Sequence, residues 1–220
     1  MHPEDKVAWK HYLLYAKPGP DHIGDPFACD IILAFSFGRN TYIDAQLPRI
    51  SKLHCLMKGD AATLRALKKE GVDIGQPNQK LAGKLKDIIE TSHISSFAQW
   101  EVLLGLEWSW YLKKSQYISG IWPDKHVKDA FTTMMGARQM IPLLRDGGLS
   151  APLILAHRDH LARAYLIVRK LMGKRARIAA MAGTAAYDPA SVQPQTRDWE
   201  SWIRSERLVR VHHIIHRYVL

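Results

Sequence analysis

The chain is poor in cysteine and has no long apolar run. Only Cys29 and Cys55 occur among 220 residues, forming neither a CxxC pair nor a disulfide framework, so a reducing compartment is expected. Cys29 abuts an apolar run and reads as a small core residue. No apolar stretch approaches the roughly 20 residues that cross a bilayer, which excludes a spanning helix. The opening Met1-His2-Pro3-Glu4-Asp5-Lys6 lacks the basic and apolar regions of a signal peptide, so a cytoplasmic location is expected. Also missing are a GxSxG elbow, a Walker loop and an HExxH helix, which removes three common catalytic signatures. Without a repeat, a low-complexity tract or a long linker, residues 1–220 read as a single domain.

What is present suits a globular α/β protein. The hydrophobic share of 47% and the charged share of 24% exclude the disordered and fibrous classes. Lys and Arg total 31 against 21 Asp and Glu, a formal charge of +10. That surplus favours an anionic partner such as a nucleotide, an acidic metabolite, a nucleic acid or an anionic membrane surface; the plain alternative is a generally basic, solvated surface. The basic residues are spread along the chain and no nucleic-acid module is evident, so nucleic-acid binding is the weakest of these readings.

Asp30-Ile31-Ile32-Leu33-Ala34-Phe35 is a continuous apolar run, as in a parallel strand covered on both faces, and Ser36-Phe37-Gly38-Arg39-Asn40 breaks it. Asp60 reads as the N-cap of a helix through Leu64 and Leu67 that stops at Gly71. Gly75 to Gln79 reads as a polar connection and Ile88-Ile89-Glu90 as a short strand. Ser96-Phe97-Ala98-Gln99 has capping-box spacing and predicts the start of a long amphipathic helix carrying Trp100, Leu103, Leu104, Trp108 and Tyr111. A helix from Lys125 towards Arg145, kinked or ended by Pro142, precedes the Gly147-Gly148 turn. Leu153 to Ala156 reads as a strand, Leu161 to Leu171 as a helix ending near Gly173, and Arg177 to Ala182 as the next strand. That order is a βαβ unit, which predicts an α/β, three-layer Rossmann-like sandwich around a mostly parallel sheet. A helix over about 198–220, with Trp199, Trp202, Ile203, Val209 and Ile214, would pack on this domain.

Three clusters can carry chemistry. In open parallel sheets ligands bind beyond the strand carboxyl ends, which is where His157, Arg158, Asp159 and His160 fall. Asp159 reads as an N-cap, and His160 and Arg163 would share a face beside a helix N-terminus suited to a carboxylate or phosphate. The alternative is that they only pair with acidic neighbours on the surface. Glu90, Gln99 and Glu101 form the second cluster, able to hold a ribose hydroxyl or act as a base; for Gln99 and Glu101 the alternative is capping or a helix surface. The third is the polar, proline-bearing loop from Tyr187 to Arg197, where Asp188, Gln193, Thr196 and Arg197 would close over a ligand or simply dock the last helix. His212, His213 and His216 tempt a metal reading, but no further ligands accompany them, so no metal is expected.

The segment Pro152 to Ala164, with its apolar strand, short polar loop and then His160 and Arg163, resembles the strand-loop-helix hallmark of the YdcF/SanA/ElyC-like family. The strand Asp30 to Phe35 followed by Gly38 is similar to that family's opening strand and glycine loop. The resemblance implies a Rossmann-like sandwich, a frequent link to the bacterial envelope and S-adenosylmethionine as ligand, with no defined reaction.

Taken together, the expected function is binding of a small anionic or nucleotide-like molecule at the strand carboxyl ends. Ser36, Gly38, Arg39, Glu90, Gln99, Asp159, His160, Arg163, Tyr187, Asp188, Gln193 and Arg197 are the candidate ligand-binding residues. His157 and Glu101 are the candidates for proton transfer. The alternatives are a non-catalytic, envelope-associated regulatory protein and a nucleic-acid-binding protein.

Overall fold

The computed structural model describes residues 2–14, 19–38, 60–122, 133–191 and 193–215. Among them a six-stranded sheet is built from β1 (His22–Ile23), β2 (Ile31–Ala34), β3 (Ser96–Gln99), β4 (Ile118–Ile121), β5 (Pro152–His157) and β6 (Ala179–Thr184). The spatial order is β1-β6-β5-β2-β3-β4, with β1 antiparallel to β6 and every other pair parallel. The helices are α1 (Pro3–Leu14), α2 (Asp60–Lys69), α3 (Gly75–Ser92), α4 (Trp100–Gly105), α5 (Trp108–Lys114), α6 (Thr133–Asp146), α7 (Arg158–Met172) and α8 (Trp199–Ile215).

Strand periodicity divides the core into two layers. Ile32, Ala34, Leu153, Leu155 and Ala179 face α2, α3, α4 and α5. Ile31, Leu33, Ile154, Ala156 and Ala180 face α1, α6 and α7. Successive residues of a strand point to opposite faces, so the unbroken apolar runs of β2 and β5 supply both layers at once. The result is a three-layer, Rossmann-like α/β sandwich around a mostly parallel sheet.

Several local expectations are corrected. Ser96 to Gln99 is strand β3, not a helix start, because it pairs with β2 on one side and β4 on the other. Its S-x-x-Q spacing mimics a capping box, but the ladder on both sides outweighs that local preference. Ile88-Ile89-Glu90 is not a strand and Gly75 to Gln79 is not a connection; both lie in α3, whose buried Leu81, Leu85 and Ile89 recur every four residues. Helix α6 runs through the exposed Pro142 to Asp146. The expected start of that helix at Lys125 lies outside the described residues.

Candidate functional site

The strand order reverses between β2 and β5. The chain passes from β2 to β3 and β4 on one side, then returns to β5 and β6 on the other. In open parallel sheets such a reversal is where the strand-end loops diverge and ligands bind; here Phe37, just past β2, and His157, at the end of β5, pack on each other at that point.

On the β2 side, Ser36, Phe37 and Gly38 are each held by a buried polar group. The Ser36 backbone N–H and hydroxyl both donate to Gln99 Oε1, at 2.7 and 2.9 Å. The Phe37 N–H donates to Asn78 Oδ1 at 2.8 Å, while Asn78 Nδ2 donates to the carbonyls of Gly38 and Ile74. Gly38 sits at φ +71°, and a Cβ there would lie 2.4 Å from Thr196 Oγ1, so only glycine fits. Asn78, fully buried in α3, is a positioning residue that the sequence reading missed. Its signal was a polar residue on the apolar face of a helix.

On the β5 side, strand alternation puts His157 on the face of Leu153 and Leu155, where it is fully buried. His157 is the N-cap of α7, replacing the expected Asp159. Its Nδ1 accepts from the Asp159 N–H at 3.2 Å, and its Nε2 lies 3.1 Å from the Ala186 carbonyl. An accepting Nδ1 leaves the hydrogen on Nε2 to be donated, so the ring is neutral. Burial lowers its pKa to about 4, against smaller opposing effects of Asp159 and backbone carbonyls. The ring stacks on Phe37 at 3.8 Å. With both nitrogens bonded inside the protein, His157 has none left for proton transfer.

The sign of this shift makes a prediction. The unfolded chain takes up a proton on His157 near pH 6.5 and the folded chain only near 4. Its stabilising contribution is complete above pH 6.5 and lost as the pH falls through that window, by about 3 kcal/mol in all. Urea unfolding at pH 7.5, 6.0 and 4.5 should show this loss, and His157→Gln should reduce it, leaving the share of the buried His160. An unchanged slope in the variant would contradict the assignment.

Asp159 and the loop after β6 are engaged in tying segments together. Asp159 Oδ1 accepts the Gly19 N–H at 3.0 Å and Oδ2 the Tyr187 hydroxyl at 2.8 Å. Burial, followed by the Asp159 carboxylate, pushes the Tyr187 pKa up. Asp188 accepts the Gln76 N–H at 2.9 Å, Gln193 contributes its carbonyl to Thr196, and Arg197 donates to the Ser191 carbonyl. These bonds fold the loop on itself and onto α3.

His160 is 2% exposed and its Nε2 lies 2.9 Å from Thr133 Oγ1. Burial drives its pKa well down, with the charge of Arg163 and the His157 ring adding to the effect. Arg163 pairs with Glu206 of α8 and lies 5.0 Å from the Trp202 ring centre. The acidic partner of Arg163 is buried, not on the surface, and His160 meets Thr133 rather than an acid. A small cleft of about 20 Å³ lies nearby, walled by Tyr12, Asp159, Arg163, Trp199 and Trp202.

The structure thus brings together Ser36, Gly38, Gln99, His157, Asp159, His160, Arg163, Tyr187 and Asp188 at one edge of the sheet. Glu101 is buried at the start of α4, next to Gln99. Glu90 is not brought there. It lies near the far end of α3 and accepts from Trp110 Nε1 at 2.7 Å. Arg39 and His216 lie outside the described residues, as do the side chains of His212 and His213. Among the described residues no group of three or more His, Cys, Asp or Glu could hold a metal ion, and no helix is long and apolar enough to cross a membrane. In comparisons with known proteins, no family model, no curated protein and no solved structure matches this chain.

Proposed function

We propose that the protein binds a small anionic or nucleotide-like molecule at the carboxyl ends of its parallel strands, as a protein of the cytoplasm. The observation that carries this reading is the reversal of strand order between β2 and β5. Diverging loops at such a point form the crevice in which open α/β sheets hold their ligands. The charge of +10 favours an anion, and S-adenosylmethionine enters as the ligand that the family resemblance implies. A second reading, a regulatory binding protein without catalysis, draws support from His157, whose two nitrogens are both engaged.

Thermal unfolding in the presence of AMP, ATP, S-adenosylmethionine and sugar phosphates tests the proposal. A ligand at 100 times its dissociation constant adds about 2.7 kcal/mol. For a chain of this size that raises Tm by roughly 5–10 °C. A flat response across the panel would overturn the reading. DNA binding with a steep salt dependence would replace it with a nucleic-acid function.

A further inference from the structure

The carboxyl end of β3 carries a buried amide with one end engaged and the other without a partner. Gln99 is 1% exposed. The Ser36 N–H and hydroxyl both donate to its Oε1, so the orientation of the amide is set by two donors. Nε2 must then point away from Ser36, and it has no hydrogen-bond partner. That nitrogen is seated against α6, where a Cβ on Gly136 would approach it to 2.8 Å. Gly136 leaves the room that the amide occupies.

Thr133 lies three residues before Gly136, so the two share one face of α6 about one turn apart. The Thr133 hydroxyl oxygen is 2.9 Å from His160 Nε2. With the imidazole hydrogen on Nε2 donated to that oxygen, the hydroxyl hydrogen remains for another acceptor. A donor from β3 and a hydroxyl from α6 thus meet the same face of α6, and each has a second contact: Ser36 on Gln99, and His160 on Thr133. A buried donor without a partner is rare in folded proteins, so Gln99 Nε2 calls for an acceptor, and the partly exposed Thr133 hydroxyl lies near it, one helical turn from Gly136.

We infer that Gln99 Nε2 and the Thr133 hydroxyl form the subsite for an oxyanion of the ligand, a phosphate or a carboxylate, with Ser36, His160 and Gly136 as positioning residues. This rests on the ligand reading above and names the part of the ligand that the chain grips.

Isothermal titration of the full chain with inorganic phosphate, AMP and acetate tests it. Phosphate or AMP binding identifies a phosphate subsite, and acetate binding alone identifies a carboxylate subsite. Gln99→Glu keeps the acceptor for Ser36 and replaces the donor with an oxygen, so binding should weaken at least tenfold. Thr133→Val removes only the hydroxyl from a partly exposed position and should weaken binding about threefold to tenfold. Binding to both variants within twofold of the unaltered chain would overturn the subsite and leave the crevice reading standing. If none of the three probes binds the unaltered chain, the subsite inference falls, and the wider thermal panel then decides the ligand reading.

Discussion

Arg163→Ala should lower the unfolding free energy by about 3 kcal/mol, at the lower end for a broken buried pair, because it takes a cationic partner from a carboxylate inside the protein. Glu206 has a side-chain exposure of 1% and Arg163 one of 20%. The guanidinium also lies over Trp202, which contacts Phe37 at 4.9 Å and His160 at 5.6 Å between ring centres. Removing it therefore loses packing as well as charge. A loss of this size should lower Tm by roughly 10 °C. The apolar pair Arg163→Met with Glu206→Leu should recover most of the deficit, since neither partner is then left charged and buried. A double-mutant cycle in urea checks both statements. A single variant as stable as the unaltered protein would mean that α8 is not held by this pair.

Asp5→Ala should be comparably damaging at the other end of α7. Asp5 Oδ1 accepts from the Tyr165 hydroxyl at 2.9 Å and from Arg169 Nε at 2.8 Å. Both partners of the Asp5–Arg169 pair are 11% exposed at the side chain. Arg169 keeps its bond to the Ala176 carbonyl, so its charge is not wholly abandoned. The expected cost is about 3 kcal/mol, at the lower end for a broken buried pair. Asp5→Asn retains an acceptor oxygen and should lose less. Thermal and urea unfolding of the two variants, measured at neutral pH, would show that order; an Asn variant as unstable as Ala would place the effect in the charge alone.

The parts of the fold that depend on local apolar pattern were readable from the residues. Strands β2 and β5 are runs of β-formers buried on both faces, and α7 carries Leu161, Tyr165 and Val168 on one side and ends at Gly173. Pairing between distant segments was not readable. Ser96 to Gln99 has the local look of a helix cap and becomes a strand only because β2 and β4 lie on either side. The site followed the same division. Its location at the strand ends could be inferred from the βαβ pattern, and Gln99 was singled out. That Ser36 grips its oxygen, that Thr133 meets His160 and that Glu206 reaches Arg163 depend on side chains 63, 27 and 43 residues apart. Such separations leave no periodicity to detect.

Helix α7 is tied along its length to segments remote in the chain. Gly19 reaches Asp159 across 140 residues, and Asp5 reaches Tyr165 and Arg169 across 160 and 164. Contacts this distant require large loops to close before they return any stabilisation. During synthesis the α1 segment emerges long before α7 exists, and its carboxylate must wait for a guanidinium made later. The contacts between α1 and α7 can thus close only once the chain has been made as far as Arg169.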